Sequence, residues 1–268
     1  MNGAVIDFSK LPSRGRCYPQ NCEIYITPLN VRQQMEMDKY GVTTAEYYNT
    51  LLQGVTLQNA SFPKDKILFA DLQYIDLMRR LFTFDTQQKV NVKNLVCWGV
   101  DEGTCTEDNL EYSFKVSDIE FEELPEELFK TEVIGSEETG EYEEVTGKKY
   151  TFTDGLEIIV SPLTAREFID MSVKYVTNNK KTTQADMYIA YLSYAVKHIG
   201  NDKKFKDNND MREFLFDYIG NICNNKDMEV LAQIEKETLS NIKPFKFNCP
   251  KCGKELEVRV SPNTQFHQ

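Results

Sequence analysis

Residues 23–37, Glu-Ile-Tyr-Ile-Thr-Pro-Leu-Asn-Val-Arg-Gln-Gln-Met-Glu-Met, return as residues 157–171, Glu-Ile-Ile-Val-Ser-Pro-Leu-Thr-Ala-Arg-Glu-Phe-Ile-Asp-Met. Six identities hold at one constant spacing: Glu23/Glu157, Ile24/Ile158, Pro28/Pro162, Leu29/Leu163, Arg32/Arg166 and Met37/Met171. Both copies obey the same local physics. Apolar alternation predicts a strand, and Pro28 or Pro162, which has no amide to give a ladder, closes it. A helix follows. Asn30 with Gln33, and Thr164 with Glu167, are capping boxes in which the cap side chain takes one orphan amide and the third helical residue reaches back.

The flanks extend the duplication. Gly15-Arg16-Cys17-Tyr18 and Gly147-Lys148-Lys149-Tyr150 are each expected to be the first arm of a hairpin whose second arm is the repeated strand. Further on, each half reaches a cysteine-bearing ribbon, Cys97 to Cys105 followed by Leu110–Val116, and Cys249 to Gly253 followed by Leu256–Val260. From Pro28 to Cys97 is 69 positions and from Pro162 to Cys249 is 87, so the second half carries room for about one more helix and its loop. The expected fold is α+β, in two similar halves, each a β-hairpin, a helical bundle and a cysteine ribbon. Residues 1–133 form the first domain, 134–146 the linker and 147–268 the second domain. A chain of 268 residues can give each half its own core.

The net charge of −11 sits mostly in residues 120–144, which hold eleven Glu and one Lys. That run is read as a solvated connector or as a docking arm for a basic partner, with Phe121 to Phe129 able to pack as a short helix. A nucleic-acid partner is not expected, because the Lys pairs at 148–149, 180–181 and 203–204 make no dense basic face. No membrane partner is expected either, since no apolar run approaches the roughly 20 residues of a span, and no secretory signal opens the chain. Apolar periodicity predicts helices from Thr44, over 64–82, and over 164–177, 184–198, 209–222 and 227–241, with strands at Val90–Trp98 and Leu110–Val116. Met187–Val196 is apolar all round and reads as the central helix of the second half. Arg79 and Arg80 read as a solvated helix end, and His198 as a cationic helix terminus.

Catalytic patterns are missing from the sequence. The two histidines, His198 and His267, have no neighbouring nucleophile pattern, and there is no phosphate loop, dinucleotide fingerprint or metalloprotease helix. The specific chemical signal is Cys249-Pro250-Lys251-Cys252-Gly253, the form of a zinc knuckle, in which two thiolates face one ion and Gly relieves the turn. A closed tetrahedral site needs two further ligands, and the duplication nominates Cys97 and Cys105. A metal-free ribbon is the competing reading, and Cys17 and Cys22 are the substitute ligands. Seven Cys, an odd number, favour thiols or a metal over a disulfide framework.

Leu11-Pro12-Ser13-Arg14-Gly15-Arg16-Cys17-Tyr18-Pro19, a strand, Pro28-Leu29 leading into a helix, further helices and a late Cys-x-x-Cys ribbon resemble the baseplate hub and hub-assembly proteins of T-even-like contractile-tailed phages. The resemblance covers the first residues best and returns at 245–268. It implies a non-enzymatic virion or assembly protein near the tail hub. Other tail and baseplate proteins would be its partners, within a symmetric oligomer, and it would lie in the host cytoplasm during assembly. Two similar faces would let one chain bridge symmetry-related neighbours, and residues 1–14 would be a removable docking arm. A zinc-ribbon adaptor outside any particle, and a tail-assembly chaperone that leaves before completion, are the alternatives.

Overall fold

Both repeated segments fold alike. In the computed structural model, which describes residues 3–59, 61–84, 89–136, 141–177, 182–200 and 205–260, β1 (Ala4–Val5), β2 (Glu23–Ile26) and, after helices α1 (Val31–Met37) and α2 (Thr44–Gln53), β3 (Val55–Gln58) form an antiparallel sheet ordered β1-β2-β3. Helix α3 (Phe69–Phe84) then leads to the ribbon β4 (Lys89–Leu95) and β5 (Leu110–Lys115) and a hairpin of β6 (Thr131–Ser136) with β7 (Glu141–Thr146). The second copy repeats the plan. Strands β8 (Lys148–Thr151) and β9 (Glu157–Val160), then α4 (Ala165–Ser172), α5 (Gln184–Ala195) and β10 (Val196–Ile199), give a sheet ordered β10-β9-β8. Helices α6 (Asn208–Asn221) and α7 (Asp227–Thr238) lead to the last ribbon, β11 (Phe245–Asn248) with β12 (Glu255–Val258). The chain is therefore α+β, and both capping boxes form, with Asn30 accepting from the Gln33 amide at 2.9 Å and Thr164 from the Glu167 amide at 3.2 Å. No helix among the described residues is long and apolar enough to cross a membrane.

Several expectations need correction. The first hairpin arm is Ala4–Val5, not Gly15–Tyr18, which instead winds through tight turns with Arg14 and Gly15 at positive φ. The reason is Asp71. Its buried carboxylate accepts the Ser13 amide (2.9 Å), the Ser13 hydroxyl (2.6 Å) and the Tyr18 hydroxyl (2.7 Å), pinning that loop to α3. Burial outweighs these donors and raises the Asp71 pKa. Ile6 and Leu11 lie in the core, so the described part of the stretch expected to be a removable arm, residues 3–14, is part of the fold.

Arg79 is not a solvated helix end but is fully buried, donating to the carbonyls of Thr27 (2.8 Å) and Leu51 (2.7 Å) and to Gln33 Oε1 (3.2 Å). Arg80 pairs with Asp76 and Tyr47. The helix expected over 64–82 is a 3-10 turn, Lys64–Lys66, followed by α3. The helix expected over 184–198 ends at Ala195, after which His198 lies in β10 opposite Ile159, not at a helix terminus. Residues 134–146, read as linker, belong to the β6–β7 hairpin over their described part. The segment before it is docked as well: Phe121, Leu124 and Leu128 are buried, Glu123 pairs with Arg14 and Arg16, and the Leu124 amide bonds the Pro12 carbonyl at 2.9 Å.

The two larger apolar cores interlock. The core around β2 and α3 includes Ala165, Ile169 and Ile242, and the core around β9 and α5 includes Phe69. Replacing Asp71 with Ala strands three donors in a dry site, so Asp71→Ala should cost about 3 kcal/mol and Ser13→Ala about 1 kcal/mol, read as urea unfolding midpoints. Equal midpoints for Asp71→Ala and wild type would show that the loop is not held in this way.

Candidate metal centre

The ribbons β4–β5 and β11–β12 alternate apolar and polar residues, so each has one apolar face. On β5 that face carries Leu110, Tyr112 and Phe114, and on β11 Phe245 and Phe247. The faces stack. Tyr112 lies on Phe247 with centroids 4.6 Å apart, and Phe114 on Phe245 at 4.0 Å. Leu256 and Val258 back this ladder from β12. Register then decides the rest, because pairing two ribbons face to face brings their two turns to the same end.

Each turn presents two sulfurs. In the first, the Val100 amide bonds the Cys97 carbonyl (2.8 Å), and the Gly99 carbonyl accepts the amides of Thr104 (2.7 Å) and Cys105 (2.9 Å). A Cβ on Gly99 would stand 2.8 Å from that of Cys105, so glycine is what lets the turn close. In the second, Gly253 at φ +75° returns its amide to the Cys249 carbonyl at 2.9 Å. The Sγ atoms of Cys97, Cys105, Cys249 and Cys252 all lie within 4.8 Å of one another, with Cys97–Cys252 at 3.5 Å and Cys105–Cys249 at 3.8 Å. These separations far exceed the roughly 2.05 Å of a disulfide. They match a tetrahedral thiolate site, whose arms of about 2.3 Å imply edges near 3.8 Å.

Cys97, Cys105 and Cys249 are buried and Cys252 is half-buried. The amides of Cys252 and Lys251 aim at Cys249 and lower its pKa to about 7, whereas burial raises that of Cys97. Around the sulfurs, Lys251 pairs with Glu107 (3.3 Å) and Lys254 with Glu102, each bridging the two turns. These exposed pairs set register more than stability.

All four nominated cysteines therefore come together. The named substitutes do not: Cys17 lies beside Ser13 and Asp71 with its pKa pushed up to about 12 by burial, and Cys22 is buried in the core around β2. Cys223 borders the second core. His198 faces Glu143 at 3.8 Å and meets no thiol, and His267 lies outside the described residues. A separate cleft of ≈ 480 Å³ beside Tyr74, Met78 and Phe121 has Arg14 and Lys243 on its wall, both already paired, with Glu123 and Glu120. The aromatic ladder and the crossing Lys–Glu pairs were not anticipated, although the alternation Tyr112/Phe114 and Phe245/Phe247 is visible in the sequence. Comparison with protein-family models, curated proteins and solved structures finds no match.

Because the ladder holds the sulfurs in register, Phe114→Ala should cost about 3 kcal/mol. It should also speed alkylation of Cys97 and Cys105 by iodoacetamide, measured by peptide mass spectrometry. Unchanged alkylation would show that the turns hold their geometry without the ladder.

Proposed function

We propose that this chain is a non-enzymatic structural protein clamped by zinc on Cys97, Cys105, Cys249 and Cys252, and that it serves in the hub region of a phage tail baseplate, joining neighbouring tail proteins. The observation that carries the reading is the sulfur tetrad. Its thiolates come from turns more than 140 positions apart, at the spacing of a zinc tetrahedron. Four protein thiolates leave no coordination position for water or substrate, which is the chemistry of a structural site. Zinc bound there would tie β4–β5 to β11–β12 and so close the chain on itself. Soft thiolate donors favour zinc over the hard cations magnesium and calcium.

The baseplate setting is supported by the resemblance of Leu11–Pro19 and the late Cys-x-x-Cys ribbon to hub and hub-assembly proteins. The structure gives both stretches a role: the first is the loop closed on Asp71, and the second supplies half the tetrad. The arginines paired with Glu123 and the buried Asp71 carboxylate serve the fold. In this reading the chain acts through its surfaces, in the virion and, before assembly, in the host cytoplasm.

Protein purified without chelator should contain one zinc per chain by elemental mass spectrometry. Cys97→Ser and Cys249→Ser should lose it, and Cys223→Ser should retain it. Metal-free protein would overturn the clamp. Quantitative mass spectrometry of purified particles should find the chain at a fixed ratio to tail proteins. Abundance in lysate with absence from particles would point instead to the assembly chaperone, and zinc binding in a source without particles to the adaptor.

A further inference from the structure

The duplication gives the chain two copies of one docking surface, and only one is covered. Within the molecule, α4 packs on a shoulder formed by α2 and the start of α3. Ala165 and Ile169 are 0% and 9% exposed there, and Phe168 stacks on Phe69 with centroids 3.5 Å apart and meets the edge of Tyr48 at 5.5 Å. The Ala165 amide bonds the Ile67 carbonyl at 2.7 Å. The matching positions of the first repeat are Val31, Gln34 and Met35 on α1. There Val31 and Met35 are each 70% exposed. The charged flank is self-satisfied in both copies, as Arg32–Glu36 and Arg166–Asp170.

The shoulder is duplicated as well. Helices α2 and α5 both open with a threonine capping box, Thr43 with Glu46 and Thr183 with Asp186, and the matching positions downstream pair Tyr48 with Tyr188. Leu68 and, on α3, Leu72, Ile75 and Arg79 are buried at the same spacing as Asp227, Leu231, Ile234 and Thr238 on α7. Helices α3 and α7 meet α2 and α5, respectively, at matching points. Arg79 donates to the Leu51 carbonyl and the Tyr191 hydroxyl to Thr238, while Asp76 lies near Tyr48 and Glu235 near Tyr188. In this register Phe69 corresponds to Met228. Phe69 is 6% exposed under α4, whereas Met228 is 50% exposed and Tyr188 half-buried. The inserted helix α6 lies elsewhere on α5, over Ile189 and Tyr194, and leaves Met228 exposed.

We propose that copies of this chain associate head to tail, the Val31–Met35 face of α1 in one copy packing on the Tyr188–Met228 shoulder of the next, as α4 packs on Tyr48 and Phe69 within each copy. Exposed large apolar side chains on both faces, Val31 and Met35 on one and Met228 on the other, supply the driving force. A contact between two different faces propagates, closing into a ring when the rotation allows. The inference deepens the structural reading above and rests on it only for the setting. Its test is independent of both zinc and particles.

Sedimentation velocity of the full chain from micromolar to hundreds of micromolar should show a mass that rises with concentration. Met35→Glu and Met228→Glu, both at exposed sites, should keep the wild-type unfolding midpoint and sediment as monomers. Mixed in equal amounts they should form a dimer and nothing larger, because each retains one intact face. Gln34→Phe, which restores the aromatic found at Phe168, should tighten association about tenfold. A wild type that stays monomeric, a mixture that stays monomeric, or oligomers that survive Met35→Glu would each overturn the proposal and leave the zinc and particle measurements untouched.

Discussion

Four sulfurs held within 4.8 Å of one another are an arrangement that the backbone alone does not favour. Thiolates at that distance repel, and neutral thiols gain little from one another, so a bound cation would make the geometry favourable. The cross-link would join Cys97 to Cys252, with 155 positions between them. Closing so long a loop removes much of the freedom of the unfolded chain. The consequence reaches past the ribbons. Phe114, Phe245 and Tyr112 belong to, or pack against, the same core as β2 and α3, so the late ribbon completes a core begun a whole repeat earlier. The same junction is sewn by backbone: the Glu122 amide bonds the Asn241 carbonyl at 2.7 Å and the Lys243 amide the Glu120 carbonyl at 2.8 Å.

The repeat was legible because its signals are local. A strand ended by proline and a cap answered three residues later need no tertiary context, and both copies formed as read. The tetrad was legible for a related reason: a knuckle supplies two ligands, and the duplication names where the other two must stand. What could not be read depends on distant partners. Strand β10 continues an apolar run without periodicity, and only pairing with β9 separates it from the helix before it. Strand β3 is four residues whose pattern is meaningful only beside β2. Arg79 looks like a surface residue because its partners are carbonyls of Thr27 and Leu51, which no composition reveals. The β6–β7 hairpin was hidden by its glutamates, which lower strand propensity without forbidding a ribbon.

The acidic run divides into two parts with different physics, and the division bears on how copies can meet. In residues 120–129 two of the five glutamates are paired in place, Glu123 with Arg14 and Arg16 and Glu120 with Lys243, and Leu124 and Leu128 are buried. The hairpin carries Glu132, Glu143 and Glu144 with no Lys or Arg between 131 and 147, and its described contact with a base is Glu143 to His198. Two copies placed side by side with these hairpins adjacent would repel over about 10 Å at ordinary salt. Contact through α1 and the Tyr188–Met228 shoulder would instead bring together faces that carry the exposed Val31, Met35 and Met228, with Arg32 already paired to Glu36 on the α1 side. The hairpin charge thus disfavours side-by-side packing, and a strongly acidic chain can associate in one direction without aggregating in the others.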